Sequence, residues 1–198
     1  MSTACVILAA GDSTRLGQAK QLVRLRGELL LDRAVRIARE AGCNPVIVVL
    51  GAGADAIIAA CRLDGAEVVQ NGDWAEGIST SIRMGIAAIA GRAAAALVMT
   101  CDQPAVDAQH LLRLKKICHE EADPARKLVA SRYAGGNGVP ACFPATMFSR
   151  LLALKGDQGA RMLLQDAVAI QLPGGELDID TPAALARLRQ LYGEEEAV

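Results

Sequence analysis

The sequence predicts an α/β fold: a Rossmann-like three-layer sandwich with a mostly parallel sheet and a small antiparallel element. Three observations carry this expectation. Apolar runs rich in β-branched residues alternate with longer segments of helical period. Strand–helix alternation of that kind builds a parallel sheet with helices on both faces. Late in the chain, two short strand-like runs flank a glycine-rich turn, which adds an antiparallel pair.

Taken in order, Ala4–Ala10 reads as a buried strand, followed by a glycine-rich loop. Leu29–Ala41 reads as a helix with Leu30, Ala34, Ile37 and Ala41 on one face. Pro45–Leu50 is a buried strand, Ala54–Cys61 a helix and Glu67–Gln70 a short strand. Ser79–Ala90 is a helix, and Ala95–Thr100 a strand without charges. Asp107 is placed to cap a helix over Ala108–His119. Leu128–Arg132 and Val139–Phe143 read as strands joined by the turn Gly135-Gly136-Asn137-Gly138. Short helices over Ala145–Ala153 and Gly159–Asp166 precede a strand at Ala169–Leu172. Thr181-Pro182, a capping residue followed by proline, opens the last helix.

The 198 residues fit one domain, taken as 1–198. Aromatics are only 3%, so the core is built from aliphatic residues, and base-stacking platforms are excluded. A formal net charge of −1 with no long basic run leaves no footprint for nucleic acid or an anionic membrane. Glu194, Glu195 and Glu196 read as a solvated tail. The six cysteines form no C-x-x-C pair, and neither His110 nor His119 is spaced to join one at zinc. Reduced, buried, inert thiols in a cytoplasmic protein are expected. The apolar start is too short for a membrane span and lacks the basic residues of a signal peptide.

In such sheets ligands bind beyond the carboxyl ends of the strands. The first strand runs into Ala10-Gly11-Asp12-Ser13-Thr14-Arg15-Leu16-Gly17-Gln18-Ala19-Lys20. Glycines let backbone N–H groups approach a phosphate chain, and Arg15 and Lys20 supply positive charge. The spacing is neither that of a P-loop nor that of the dinucleotide fingerprint. Leu8-Ala9-Ala10-Gly11 with Arg15, Gly17 and Lys20 resembles the signature L-A-A-G-x-x-x-R-x-G-x-x-K of the MobA-like nucleotidyltransferases. Within that family the resemblance is strongest to the molybdenum cofactor cytidylyltransferases, which move CMP from CTP to molybdopterin and release pyrophosphate. It implies a nucleotide-diphospho-sugar transferase type of fold. Guanylyl-transferring relatives more often read L-A-G-G, so Ala10 leans towards cytidine.

The resemblance covers nearly the whole chain. Asn71 to Ser81 matches the segment that carries base and ribose, which makes Asn71, Gly77, Ser79 and Ser81 nucleotide-binding candidates beside Leu8, Ala9, Ala10, Gly11, Arg15 and Lys20. Read without the resemblance, the same stretch is a serine-capped helix start with Trp74 in the core. Cys101-Asp102-Gln103-Pro104 places Asp102 at the carboxyl end of a strand, where a carboxylate suits Mg²⁺ beside a triphosphate. Asp178-Ile179-Asp180-Thr181-Pro182 matches the late D-[IV]-D-T-P element; Asp180 would be the second metal ligand, and extended backbone turns Asp178 the other way. The plain alternatives are a turn before Pro104 and a helix cap at Asp180 or Thr181. Gly156-Asp157-Gln158-Gly159-Ala160-Arg161 resembles the family's G-D-x-G-A-R, with Arg161 either meeting an acceptor phosphate or pairing with Asp157.

One departure touches the acceptor. The family usually reads R-G-x-P in its substrate loop, whereas this chain reads Asn137-Gly138-Val139-Pro140, a hairpin-turn signal in its own right. Asn137, Gly138 and Arg161 are the acceptor-binding candidates. Arg15, Lys20 and Asp102 are the catalytic candidates, with Mg²⁺ on Asp102 and Asp180. The resemblance implies molybdopterin as acceptor, and a molybdenum-enzyme apoprotein or insertion chaperone as partner. Two rivals stand beside it: a pyrophosphorylase for a sugar phosphate or another phosphorylated acceptor, and a non-catalytic nucleotide-binding or cofactor-delivery protein. The chemistry requires Arg15, Lys20, Asp102 and Asp180 to converge in one cleft.

Overall fold

A computed structural model describes residues 2–121 and 127–193; the expected acidic tail at Glu194–Glu196 lies outside them. The first strand, β1 (Thr3–Ala9), is buried along its whole length. It runs through an arched loop into a 3₁₀ turn at Lys20–Leu22 and a ribbon of two-residue strands, β2 (Arg24–Leu25) and β3 (Glu28–Leu29). There follow α1 (Leu30–Glu40), β4 (Val46–Leu50), α2 (Ala54–Ala60), β5 (Ala66–Gln70), α3 (Ile78–Ile89), β6 (Ala95–Thr100) and α4 (Ala108–Glu120). The late part holds β7 (Val129–Tyr133), β8 (Gly136–Pro144), α5 (Phe148–Leu152), β9 (Val168–Gln171) and α6 (Pro182–Leu191).

Seven strands form one sheet in the order β5-β4-β1-β6-β8-β7-β9. Pairs β1–β4, β1–β6, β4–β5 and β7–β9 are parallel; β8 alone runs against its neighbours β6 and β7. Successive side chains of β1 alternate between the two faces. Cys5 and Ile7 meet α1 and α4 residues such as Leu31, Val35, Leu111 and Leu114, while Ala4, Val6 and Leu8 meet α3 and α5 through Ile82, Ile86 and Leu151. Both faces are covered, which is why β1, β4 and β6 read as continuous apolar runs.

A third, smaller cluster joins Leu16, Val23, Leu25 and Leu30 to Ile179, Leu185 and Leu188. It pins α6 onto the opening loop. Thr181 caps α6 by accepting the Ala184 N–H at 3.2 Å, with Pro182 at the first helical position. Asp107 caps α4 by accepting the His110 N–H at 2.7 Å.

Three expectations change here. The hairpin turn is Ala134-Gly135, both with positive φ, rather than Gly135–Gly138. Two consecutive left-handed residues make the tight turn that matches strand twist, and Asn137-Gly138 falls inside β8 instead. The late helical segments are mostly 3₁₀, at Ala145–Met147 and Ala160–Leu164. Of the cysteines, all free, five are buried and Cys61 is half-buried, so the expectation of complete burial fails at one position.

Candidate active site

The opening loop leaves β1 at its carboxyl end and is closed at its base by its own polar atoms. The buried Gln21 side chain donates to the Ala9 and Gly11 carbonyls at 2.6 and 3.2 Å, and the Lys20 N–H donates to Ser13 Oγ at 3.2 Å. This closure aims Lys20 inward, leaves Arg15 exposed on the rim and buries Leu16.

Lys20 Nζ donates to Asp102 and, at 3.1 Å, to Asp180; Arg15 Nη2 donates to the other Asp180 oxygen at 2.7 Å. All four residues expected to converge do so. Asp102, 5% exposed, follows β6 after the single residue Cys101. The Ile179 N–H donates to the Asp102 carbonyl at 3.2 Å, and that backbone link sets Asp180 beside Asp102. Burial alone would pull the Lys20 pKa down; the charge and hydrogen bond of Asp102, with the charge of Asp180, outweigh it and hold the pKa raised.

Asp178 corrects an expectation. Residues 177–181 are irregular rather than extended strand, so alternation does not turn Asp178 away. Its carboxyl lies at an open surface yet is walled by protein on its inner side. That desolvation, and the like charges of Asp102 and Asp180, push it up to about 6.

Beside the acid pair lies a cleft of about 310 Å³, lined by Leu8, Ala9, Ala10, Gly11, Asp12, Lys20, Trp74, Ala75, Gly77, Ile78, Ser81, Thr100 and Asp157. It adjoins a hollow of about 260 Å³ that shares Gly11, Asp12 and Lys20 and adds Arg15 and Asp180. A larger hollow, about 490 Å³, lies against α1 among the salt-bridged Glu28, Arg36 and Glu40, away from this chemistry.

Gly77 has φ 116°, a conformation that L side chains rarely adopt, and a Cβ there would stand 2.4 Å from the Gly156 carbonyl carbon. The Asp157 Oδ1 lies against the same point, so Gly156 and Asp157 pack on the turn at Gly77. Asn71 and Ser79 stand behind the cleft. Asn71 donates to Thr80 Oγ1 at 2.8 Å and Ser81 Oγ at 3.0 Å, and so fixes the serine that does line it. The Ser79 and Thr80 N–H groups at the helix start are taken by the Gly156 and Gly77 carbonyls. Trp74 is half-buried in the cleft wall rather than core.

Of the acceptor candidates, Asn137 and Arg161 line one hollow beside the β7–β8 hairpin, and Gly138 does not. Asn137 turns into the fold, donating to the Leu164 carbonyl at 2.8 Å, and Gly138 is buried where a Cβ would stand 2.3 Å from the Tyr133 hydroxyl oxygen. Neither offers a side chain to a ligand. Arg161 is exposed and takes part in none of the ion pairs among the described residues, so it does not pair with Asp157.

Gln21, Asp157 and Asp178 were not singled out as site residues by sequence reasoning. Asp157 lay within a recognised motif; Gln21 shows no signal beyond its place after Lys20. Burial pushes the Cys101 thiol up to about 12, which removes it as a nucleophile.

The two carboxylates present hard oxygen donors towards one cationic position. Among the described residues no three His, Cys, Asp or Glu side chains gather into a metal cage. Mg²⁺ is bound through one or two carboxylates plus substrate phosphate oxygens and water, so a two-aspartate set fits it. Among the described residues no helix is long and apolar enough to cross a membrane.

Comparison with known proteins agrees with the geometry. Over 199 residues the chain is 31% identical to nicotine blue oxidoreductase of Paenarthrobacter nicotinovorans, covering 92% of this chain and 94% of that one. It is 24% identical to the molybdenum cofactor cytidylyltransferase of Escherichia coli, covering 96% and 97%. Its fold superposes on the crystal structure of Rv0371c from Mycobacterium tuberculosis with a TM-score of 0.82 and 34% identity, covering 96% and 98%. A second structure of Rv0371c is a complex with manganese, with a TM-score of 0.76, 32% identity and coverage of 96% and 99%. Residues 5–172 match the MobA-like NTP transferase domain, and the chain belongs to that family of nucleotidyltransferases.

Proposed function

We propose that this protein is a Mg²⁺-dependent molybdenum cofactor cytidylyltransferase that moves CMP from CTP to molybdopterin. The observation that carries the reading is the shared ammonium of Lys20 between Asp102 and Asp180, with Arg15 on the outer face of Asp180. The cytidylyltransferase of Escherichia coli and the manganese complex of Rv0371c support it as relatives.

In the proposed reaction an oxygen of the acceptor's phosphate attacks the α-phosphorus of CTP. The bond from that phosphorus to the bridging oxygen breaks, and pyrophosphate leaves with the bonding pair. The protein's part is positioning and charge neutralisation. Gly77, Ser81 and Trp74 hold the nucleoside end; backbone N–H groups of the opening loop, with Lys20 and Arg15, offset the departing charge. Asp102 and Asp180 would hold Mg²⁺, which when bound lowers the charge on the phosphates. With Asp102 and Asp180 engaged as metal ligands, the Lys20 ammonium would be free to face the phosphate chain.

The test is pyrophosphate release with CTP, GTP or ATP plus Mg²⁺, using molybdopterin and common sugar phosphates as acceptors. Release with CTP and molybdopterin is expected. Release only with a sugar phosphate would replace the acceptor and keep the reaction class; nucleotide binding without release would make the chain a binding protein.

A further inference from the structure

The β7–β8 hairpin and the 3₁₀ turn at Ala160–Leu164 form a separate hollow of about 410 Å³. Two guanidinium groups line it, Arg132 from β7 and Arg161 from the turn. Both are exposed, and neither takes part in any ion pair among the described residues. Gly135 and Gly136 add backbone to the lining, and Asn137 and Gln165 complete it. The Arg161 guanidinium lies over Gly136, where a Cβ would stand 2.8 Å from its Nη2. A larger residue at 136 would drive Arg161 out of the hollow. Met162, 65% exposed, forms an apolar shoulder beside it.

Two forked cations in a hollow that no Asp or Glu among the described residues lines match an oxyanion that guanidinium groups bind in bidentate fashion. Tyr133 links the hairpin to the reaction site. Its hydroxyl donates to the Val139 carbonyl at 2.9 Å and accepts from Gln103, the neighbour of Asp102, at 3.2 Å. Burial raises its pKa; the charges of Asp178 and Asp102 push the same way, and that of Arg161 pushes back. Through these two bonds the phenol ties the segment after Asp102 to the β7–β8 hairpin.

We propose that this hollow is an anion subsite for the acceptor: Arg132 and Arg161 hold an oxyanionic group remote from the phosphate that attacks CTP. The proposal rests on the nucleotidyl-transfer reading, because the attacking phosphate must lie at Lys20, Asp102 and Asp180. An acceptor that fits both places carries anionic groups at two ends. Arg132 is thus a specificity-determining residue that the sequence did not mark.

The test has two arms on the full chain. Side-chain Nε–H NMR signals are followed while inorganic phosphate is added. Arg132 and Arg161 are expected to move together on one saturable curve, with Arg150 and Arg187 unmoved; uniform, non-saturating shifts of all four overturn the subsite. In the second arm, Arg132→Gln and Arg161→Gln are expected to raise the acceptor KM at least tenfold and leave the CTP KM within twofold. Saturable phosphate binding with an unchanged acceptor KM would assign the hollow to free phosphate and overturn its acceptor role. Failure of the wild-type protein to release pyrophosphate with any acceptor would sink the nucleotidyl-transfer reading itself. The phosphate titration distinguishes these failures, since it is read without turnover.

Discussion

Lys20 reaches across the fold to Asp102, a residue 82 positions further along the chain, and bonds to its carboxylate. Removing either partner strips one charge from the reaction centre. Loss of one such electrostatic group costs roughly 3–4 kcal/mol in the barrier, or about 10²–10³ in rate. Lys20→Ala and Asp102→Asn are each expected to lower turnover by about that factor while circular dichroism stays native. Near-normal turnover in Asp102→Asn would take that residue out of the mechanism.

Gly77→Ala places a methyl group against the Gly156 backbone and strains a φ of 116°. Such a conformation costs of order 1–3 kcal/mol for a residue with a side chain. The expected result is a CTP KM raised about tenfold and a lowered thermal midpoint. An unchanged KM would mean that the turn yields without disturbing the cleft.

His110 sets a pH dependence of stability. It is 1% exposed, its Nε2 lies 2.7 Å from Ser131 Oγ, and its Nδ1 lies 3.3 Å from the Arg113 guanidinium. Burial, with the charge of Arg113, pushes its pKa down to about 4, although Asp107 opposes the shift. Above pH 6.5 the ring is neutral in both folded and unfolded chains, and its contribution is complete. As pH falls from 6.5 towards 4, the unfolded chain takes up the proton first and stability drops, by up to about 3 kcal/mol. Urea unfolding at pH 7.5 and 4.5 is expected to show a loss that His110→Gln reduces; equal losses in the two proteins would place its cause elsewhere.

Arg33 holds the segment after Asp102 by donating to the Pro104 and Val106 carbonyls at 2.9 and 2.7 Å. Arg33→Met removes both bonds from a half-buried site, at about 1–3 kcal/mol for each carbonyl left without a donor. Pro104 keeps the Tyr192 hydroxyl, 3.2 Å away, so Val106 bears the larger share. A fall in thermal midpoint is expected, deepened when Tyr192→Phe is added; additive, negligible changes would show the segment to be held by packing alone.

Thiol labelling of the native protein gives a simple check on burial. Cys61 is half-buried and the other five cysteines are buried. Burial, with the charge of Asp32, raises the Cys61 thiol to about 11, so even this one reacts slowly. One slow equivalent per chain is expected at neutral pH, and all six after unfolding.

Much of the sheet was legible because buried parallel strands leave unbroken apolar runs: Ala95–Thr100 is a strand with the expected ends. The hairpin was misplaced because Asn-Gly is a strong turn signal, yet Gly138 serves to make room for the Tyr133 hydroxyl. The ribbon of β2 and β3 went unseen, since two residues have no period. In the site, Lys20, Asp102, Asp180 and Arg15 could be named from their types and places at strand ends. Asp178 could not be placed, because period-two reasoning needs a strand and residues 177–181 form none. Arg132 was hidden in a strand whose pairing with Asn137 only the fold reveals.

The family match stops at Leu172, yet Asp180 lies beyond it. A chain trimmed to the matched span would lose one acidic arm and bare Leu16, Val23 and Leu30, which rest on Ile179, Leu185 and Leu188. The working unit therefore extends at least through the final helix, and fragments cut at the homology border are expected to aggregate rather than fold.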